Sequence, residues 1–245
     1  MMIDTHCHVD LFSDPLATAR EAEVAGVLTV AVTNLPSHFE QGTPHLAGFK
    51  CVRLALGLHP MMVSQHRRER SLFERAASNT SYIGEVGLDF SSVGRATKDA
   101  QVDSFRFVLG VIRDRPRFLS LHSRGAELVV MDLLAEYAIS PAVFHWYSGP
   151  LAAIERALSD GHFFSVNPSM TASQRGRSII EKIPPERILT ESDGPHIRVR
   201  GNPVGPTGIG SLLNSIADIW GVSPEKAEAQ VQDNFRKVIS PLKRQ

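Results

Sequence analysis

The feature that most constrains the fold of this chain is an alternation. Eight short apolar or β-branched runs, each followed by a segment with helical spacing, recur from one end to the other. The runs are Met2 to Thr5, Val27 to Thr33, Val52 to Leu56, Tyr82 to Gly84, Phe118 to Leu121, Ala142 to Phe144, Phe163 to Val166 and Arg187 to Leu189. Between them, sets such as Gln101, Phe105, Leu109 and Ile112, or Leu128, Met131, Leu134 and Ala135, repeat every three or four residues. Strands that alternate with helices pair in parallel. With 245 residues and no Pro, Gly or Ser-rich seam, the economical closure is one domain over residues 1–245, an α/β fold of the (β/α)8 TIM-barrel type. The stretches Phe90 to Asp99 and His196 to Thr207 read as longer loops on its C-terminal face.

In such a barrel the chemistry gathers where strands end. His6 and His8 follow the first run, Glu85 the fourth, His122 the fifth, His145 the sixth and Asp193 the eighth. In His6-Cys7-His8 the two imidazoles lie at i and i+2 of an extended segment, so they point to the same side while Cys7 points away. Imidazole suits zinc and other transition metals, and the carboxylates add oxygen donors that zinc, manganese or magnesium accepts. Four imidazoles and two carboxylates exceed one tetrahedral shell, so a site for two divalent metal ions with a bridging carboxylate is expected. His59, in Gly57-Leu58-His59-Pro60, is either a ligand or a hydrogen-bonded histidine beneath the site. His38, His45, His66, His162 and His196 read as surface or packing residues.

Composition narrows the partners. Lys plus Arg and Asp plus Glu number 26 each, so no long-range field of one sign draws a polyanion to the whole molecule. A short groove that engages a strand end fits this balance better than a wrapped duplex. Arg124, Arg198 and Arg200, with Arg95, suit phosphate or form a solvated rim. Phe12, Phe90, Trp146 and Tyr147 either stack on unpaired bases or belong to the pocket wall and core, and Trp220 reads as core. Two cysteines, Cys7 and Cys51, read as reduced thiols. The absence of a basic and apolar leader or a membrane-length apolar run points to the cytoplasm.

The segments Asp4-Thr5-His6-Cys7-His8, Gly57-Leu58-His59-Pro60, Gly84-Glu85-Val86-Gly87-Leu88-Asp89, His122-Ser123-Arg124 and Glu191-Ser192-Asp193-Gly194-Pro195 resemble, in order, those of the TatD-type metal-dependent deoxyribonucleases. His145-Trp146-Tyr147-Ser148-Gly149 and Ser165-Val166-Asn167-Pro168-Ser169-Met170 are similar to the QatD subgroup of an anti-phage defence system. The resemblance implies an amidohydrolase-type barrel and two divalent cations, with His6, His8 and Asp193 on the first, His122 and His145 on the second, and Glu85 bridging both. It also implies structural uses for Asn202-Pro203 and Asn234-Phe235. Trp146 and Tyr147, and Ser192-Asp193-Gly194, depart from the commoner pattern and imply a different pocket shape.

The expected reaction is hydrolysis of a DNA phosphodiester, favouring single strands or strand ends, with Asp193 as general base and Arg124, Arg198, Arg200, Trp146 and His59 as substrate contacts. Two other readings keep the metals. One is hydrolysis of an amide, ester, lactone or modified nucleotide, and the other is a catalytically idle, metal-bearing component that binds other proteins of a defence system.

Overall fold

In the computed structural model, which describes residues 1–244, the alternation closes into a (β/α)8 barrel. The first half runs β1 (Ile3–Cys7), α1 (Pro15–Val24), β2 (Leu28–Ala31), α2 (Pro36–Leu46), β3 (Val52–Leu54), β4 (Leu56–Leu58), α3 (Val63–Ala77), β5 (Tyr82–Gly87) and α4 (Lys98–Ile112). The second runs β6 (Phe118–His122), α5 (Glu127–Glu136), β7 (Val143–His145), α6 (Leu151–Ser159), β8 (Phe163–Val166), α7 (Pro168–Ala172), α8 (Gln174–Lys182) and β9 (Ile188–Thr190). A small hairpin of β10 (Arg198–Val199) and β11 (Asn202–Pro203) precedes α9 (Ile209–Trp220) and α10 (Pro224–Ile239). All barrel pairings are parallel, and the hairpin is antiparallel.

The third stave is split at Ala55: β3 pairs with β2, and β4 with β5. At the split, the segment after β2 reaches past its neighbour. Thr33 donates its N–H to Gly84 at 3.1 Å and accepts from the Glu85 N–H at 3.0 Å. Gly57 lies between them, and a Cβ there would come 1.6 Å from the Thr33 carbonyl oxygen. Only glycine permits that approach.

Closure between β9 and β1 relies on side chains as well as backbone. Thr5 Oγ1 donates to Thr190 O at 2.9 Å, and Thr190 Oγ1 donates to Ile3 O. Beyond the strand ends, Asp193 N donates to His6 O at 2.9 Å and His8 N to Gly194 O at 2.8 Å. Asp4 accepts from Ser192 N at 2.9 Å and Ser192 Oγ at 2.6 Å. The first and last ligand segments are thereby clamped together across about 185 residues of sequence.

Several expected limits shift. The apolar runs end too early at the mouth: β1 extends through His6 to Cys7, and β5 through Glu85 to Gly87. Polar side chains there are buried against one another, so strand geometry persists after the hydrophobic pattern stops. Gln101, Phe105, Leu109 and Ile112 are all buried on α4, as their spacing predicts. On α5 the buried face is Val130, Met131, Leu133 and Leu134, whereas Leu128 and Ala135 face solvent. The expected loop at Phe90 to Asp99 contains a 3-10 turn at Gly94–Thr97 and the start of α4, and the one at His196 to Thr207 contains the hairpin.

Trp220 packs half-buried against the core. Asn234 Nδ2 donates to Pro185 O and Ile188 O, both at 2.7 Å, and so ties α10 to the start of β9. Cys7 and Cys51 are free thiols. Among the described residues no helix is long and apolar enough to cross a membrane.

Candidate metal centre

His6, His8, Glu85, His122, His145 and Asp193 meet at the C-terminal mouth of the barrel, around Glu85. Its two carboxylate oxygens face different groups. Oε2 lies 3.2 Å from His8 Nε2, 3.6 Å from His6 Nε2 and 3.4 Å from His59 Nε2. Oε1 lies 2.6 Å from His122 Nδ1 and 3.0 Å from His145 Nε2. Asp193 Oδ1 faces the first side, 3.8 Å from His6 Nε2 and 3.9 Å from His8 Nε2.

The donor atoms fall in three groups close enough to share a cation: His6, His8 and Asp193; His6, Glu85 and His145; and His59, Glu85 and His122. His6 Nε2 and His8 Nε2 are 3.3 Å apart, and Asp193 Oδ1 has no hydrogen-bond donor although it is buried. Convergent acceptor atoms without intervening protons repel one another unless a cation sits among them. This set of imidazole nitrogens and carboxylate oxygens fits zinc or manganese, with magnesium favoured less by so many nitrogens.

Electrostatics follow from this crowding. Burial by itself would raise Glu85, but the imidazoles of His59, His145 and His122 outweigh it and hold the carboxyl well below its usual range. Burial opposes charge on His145, yet Glu85 and Glu191 lift it well above an ordinary histidine. His122 is raised against burial by Glu85 and Asp89. His6 goes the other way, lowered by burial and by His145, whose ring stacks on it at 3.9 Å. Burial pushes Asp193 up to about 7.

A layer behind these groups, absent from the sequence expectations, fixes their rings. His6 Nδ1 pairs with Ser120 Oγ at 2.7 Å. His122 Nε2 pairs with Asp89 Oδ2 at 2.8 Å, which aims Nδ1 at Glu85. Glu191 Oε1 stands 3.6 Å from His145 Nδ1 and accepts from Trp146 N at 3.0 Å and Asn167 Nδ2 at 2.9 Å, and Ser165 Oγ donates to Oε2. Hydrogen-bonded partners such as Ser120 and Asp89 set ring orientation and tautomer, and the Glu191 carboxylate adds negative charge behind His145. Asp89 and Glu191 carry a signal in the sequence, since each stands within four residues of a ligand-type carboxylate near a strand end.

His59 is placed on the pocket wall rather than beneath it. Its Nδ1 accepts from Met61 N at 3.1 Å, so a neutral ring carries its proton on Nε2, the atom facing Glu85. That tautomer makes His59 a donor and argues against ligation, although its distance alone would allow it.

The pocket above these residues has a volume of 610 Å³ and is lined also by Asn34, Arg124, Trp146, Ser148 and His196. Trp146 is 38% exposed at the rim, with a left-handed φ of 37°. His196, expected on the surface or in packing, is exposed, and it stands on the lining of this pocket with its ring edge-on to His8 at 4.9 Å. Tyr147 is buried, its hydroxyl donating to Pro150 O at 2.8 Å, and Phe90 packs on the core, so neither faces the pocket. Arg198 and Arg200 stand exposed on the hairpin, outside the pocket lining, and Arg95 is exposed as well. Phe12 lies against Gly194 and lines a neighbouring cleft.

Comparison with known proteins agrees with this architecture. The TatD related DNase family model matches residues 3–240. The human protein named Deoxyribonuclease TATDN3 is 27% identical over 269 residues, covering 99% of this chain and 96% of that protein. The Klebsiella pneumoniae (strain 342) protein named 3'-5' ssDNA/RNA exonuclease TatD is 28% identical over 248 residues, covering 91% and 90%. The crystal structure of YJJV, a TatD homologue from Escherichia coli K12, superposes with a TM-score of 0.86 at 23% identity over 97% of both chains. The chain belongs to the TatD related DNase family.

Proposed function

We propose that this chain is a two-metal phosphodiesterase that hydrolyses DNA from the ends of single strands. The observation that carries the reading is the division of Glu85: Oε2 toward His6 and His8, Oε1 toward His122 and His145. His6, His8 and Asp193 would hold one cation and His122 and His145 the other, with Glu85 between them. When bound, the cations would supply a water of lowered pKa and neutralise charge on the phosphoryl oxygens.

The chain's own residues do the rest. Asp193 Oδ1, with no donor of its own, orients the attacking water and accepts its proton. His59 Nε2–H donates to a phosphoryl oxygen, Ser120 and Asp89 hold the imidazoles of His6 and His122 at fixed angles, and the Glu191 carboxylate stands 3.6 Å behind His145. Trp146 offers its exposed indole to the base beside the scissile bond, and Arg124 at the rim meets a neighbouring phosphate. A pocket of 610 Å³ in a molecule of zero formal net charge suits a strand end better than a duplex, and a relative carries the name of a single-strand exonuclease.

The test is hydrolysis of end-labelled single-stranded DNA, duplex DNA and RNA by protein stripped of metal and reloaded with zinc, manganese or magnesium. Single-stranded DNA should be shortened stepwise from one end, and Asp193→Asn or Glu85→Gln should lower the rate by roughly two orders of magnitude or more. Undiminished hydrolysis after chelation, or none with any of the three metals, refutes the reading.

A further inference from the structure

Nine buried side-chain polar atoms among the described residues have no hydrogen-bond partner, and six of them fall in two places. Four belong to His8, Asn34, His145 and Asp193, which line the pocket described above; of these Asp193 Oδ1 faces the candidate metal site, and His145 Nδ1 lies 3.6 Å from Glu191. Two more, Asp10 Oδ1 and His38 Nδ1, sit together in a second cavity of 600 Å³. Asp10 Oδ2 is 3.7 Å from His38 Nδ1, beyond hydrogen-bond reach. Enclosed polar atoms without a partner are uncommon and point to a missing one.

The second cavity lies between α2 and the segment that joins β1 to α1. Leu16, Leu46 and Leu54 give it apolar walls, while Asp10, His38 and Gln41 supply polar groups. A third depression lies between it and the catalytic pocket. A cleft bounded by Leu11, Ser13, His196 and Arg198 shares Leu11 and Ser13 with this cavity and His196 with the catalytic pocket. The three depressions are therefore neighbours along the surface.

We propose that this cavity is a nucleobase subsite, which holds the base of a nucleotide remote from the scissile phosphate on a strand laid past His196 and Arg198; the proposal rests on the phosphodiesterase reading. A base has apolar faces and a polar edge, and a cavity of this size and lining is of the kind that holds small ligands. The Asp10 carboxylate accepts an exocyclic amino N–H, and the His38 imidazole donates to the ring nitrogen beside it. Adenine and cytosine present that donor and acceptor side by side. Thymine and uracil present carbonyl oxygens, which the carboxylate repels. Arg198, on the cleft between the two cavities, meets the intervening phosphates.

Two measurements on the full, metal-loaded chain decide this. The first is calorimetric binding of deoxyadenosine, deoxycytidine and thymidine to the wild type and to His38→Ala and Gln41→Trp, the latter placing a bulky ring at the cavity wall. Deoxyadenosine and deoxycytidine should bind roughly tenfold more tightly than thymidine, and both variants should remove that preference. The second is the ratio of kcat/KM on a deoxyadenosine-containing hexanucleotide to that on a dinucleotide, which should fall roughly tenfold in both variants, the loss expected for one base contact. An unchanged ratio, or nucleoside binding that the variants leave alone, overturns the proposal. If no nucleic acid is hydrolysed at all, the phosphodiesterase reading fails separately, and the binding measurement alone decides the cavity.

Discussion

The backbone N–H of Glu85 donates to the carbonyl of Thr33 at 3.0 Å, across a strand that offers only Gly57 at the crossing point. Glu85 is therefore held by the segment that follows β2, a strand that is not its neighbour in the barrel.

This makes Gly57 a site where one methyl group should be costly. In Gly57→Ala the added Cβ meets the Thr33 carbonyl oxygen at 1.6 Å and the Glu85 nitrogen at 3.0 Å. Overpacking against backbone costs about 1 to 3 kcal/mol and occasionally more. Thermal denaturation should show a lowered midpoint, and any folded fraction should bind metal more weakly because Glu85 has moved. A wild-type midpoint with full metal affinity contradicts the crossing as the determinant.

Asp89 should act through His122 rather than on substrate. Its Oδ2 accepts from His122 Nε2 at 2.8 Å, and its Oδ1 accepts from Ser91 N at 2.8 Å. Asp89→Ala should weaken metal binding by about 10- to 100-fold, the range for lost partners of metal-ligating histidines. Asp89→Asn, which keeps an acceptor oxygen, should recover part of the affinity. Metal titration of both variants checks this, with circular dichroism confirming that each is folded.

His59 and His8 should separate by metal content. His59 has its acceptor nitrogen occupied by Met61 N–H, whereas His8 Nδ1 and Nε2 are free of protein donors apart from the His6 contact. His59→Gln should retain bound metal and raise KM for a phosphodiester. His8→Gln should lose metal. Elemental analysis after gel filtration distinguishes them, and metal loss in His59→Gln would make His59 a ligand.

Stability should fall in mildly acidic solution through two histidines distant from the strand-end ligands. Burial lowers His66 and His162 from 6.5 to about 4. Between those values the unfolded chain takes up protons that the folded chain does not. Their contribution is complete above pH 6.5 and is lost as pH falls toward 4, by up to about 3 kcal/mol each. Asp4 and Asp193, raised to about 7 by burial, act in the opposite sense in metal-free protein. The wild type must therefore be compared with His162→Gln by urea denaturation at pH 7.5 and pH 5. A gap between the two curves that does not change with pH contradicts the assignment.

The sequence by itself carried the alternation of apolar runs and helical spacings, which sufficed for the barrel because parallel strands buried on both faces must be apolar and must be joined by helices. It also placed six ligand-type side chains near strand ends; five of them line one pocket, and His6 is buried against them. Their local spacing was enough because strand ends in a barrel share one face. Only the tertiary structure decided how far polar strands run at the mouth, the crossing of Thr33 over Gly57, the ring-orienting role of Asp89, the place of Glu191 behind His145, and the position of His196 on the pocket lining. It also carried Arg198 and Arg200 away from the pocket and Tyr147 into the core. Those outcomes depend on contacts between residues far apart in the chain, and a local pattern of hydrophobic and polar residues does not encode which distant partner a buried polar atom will meet.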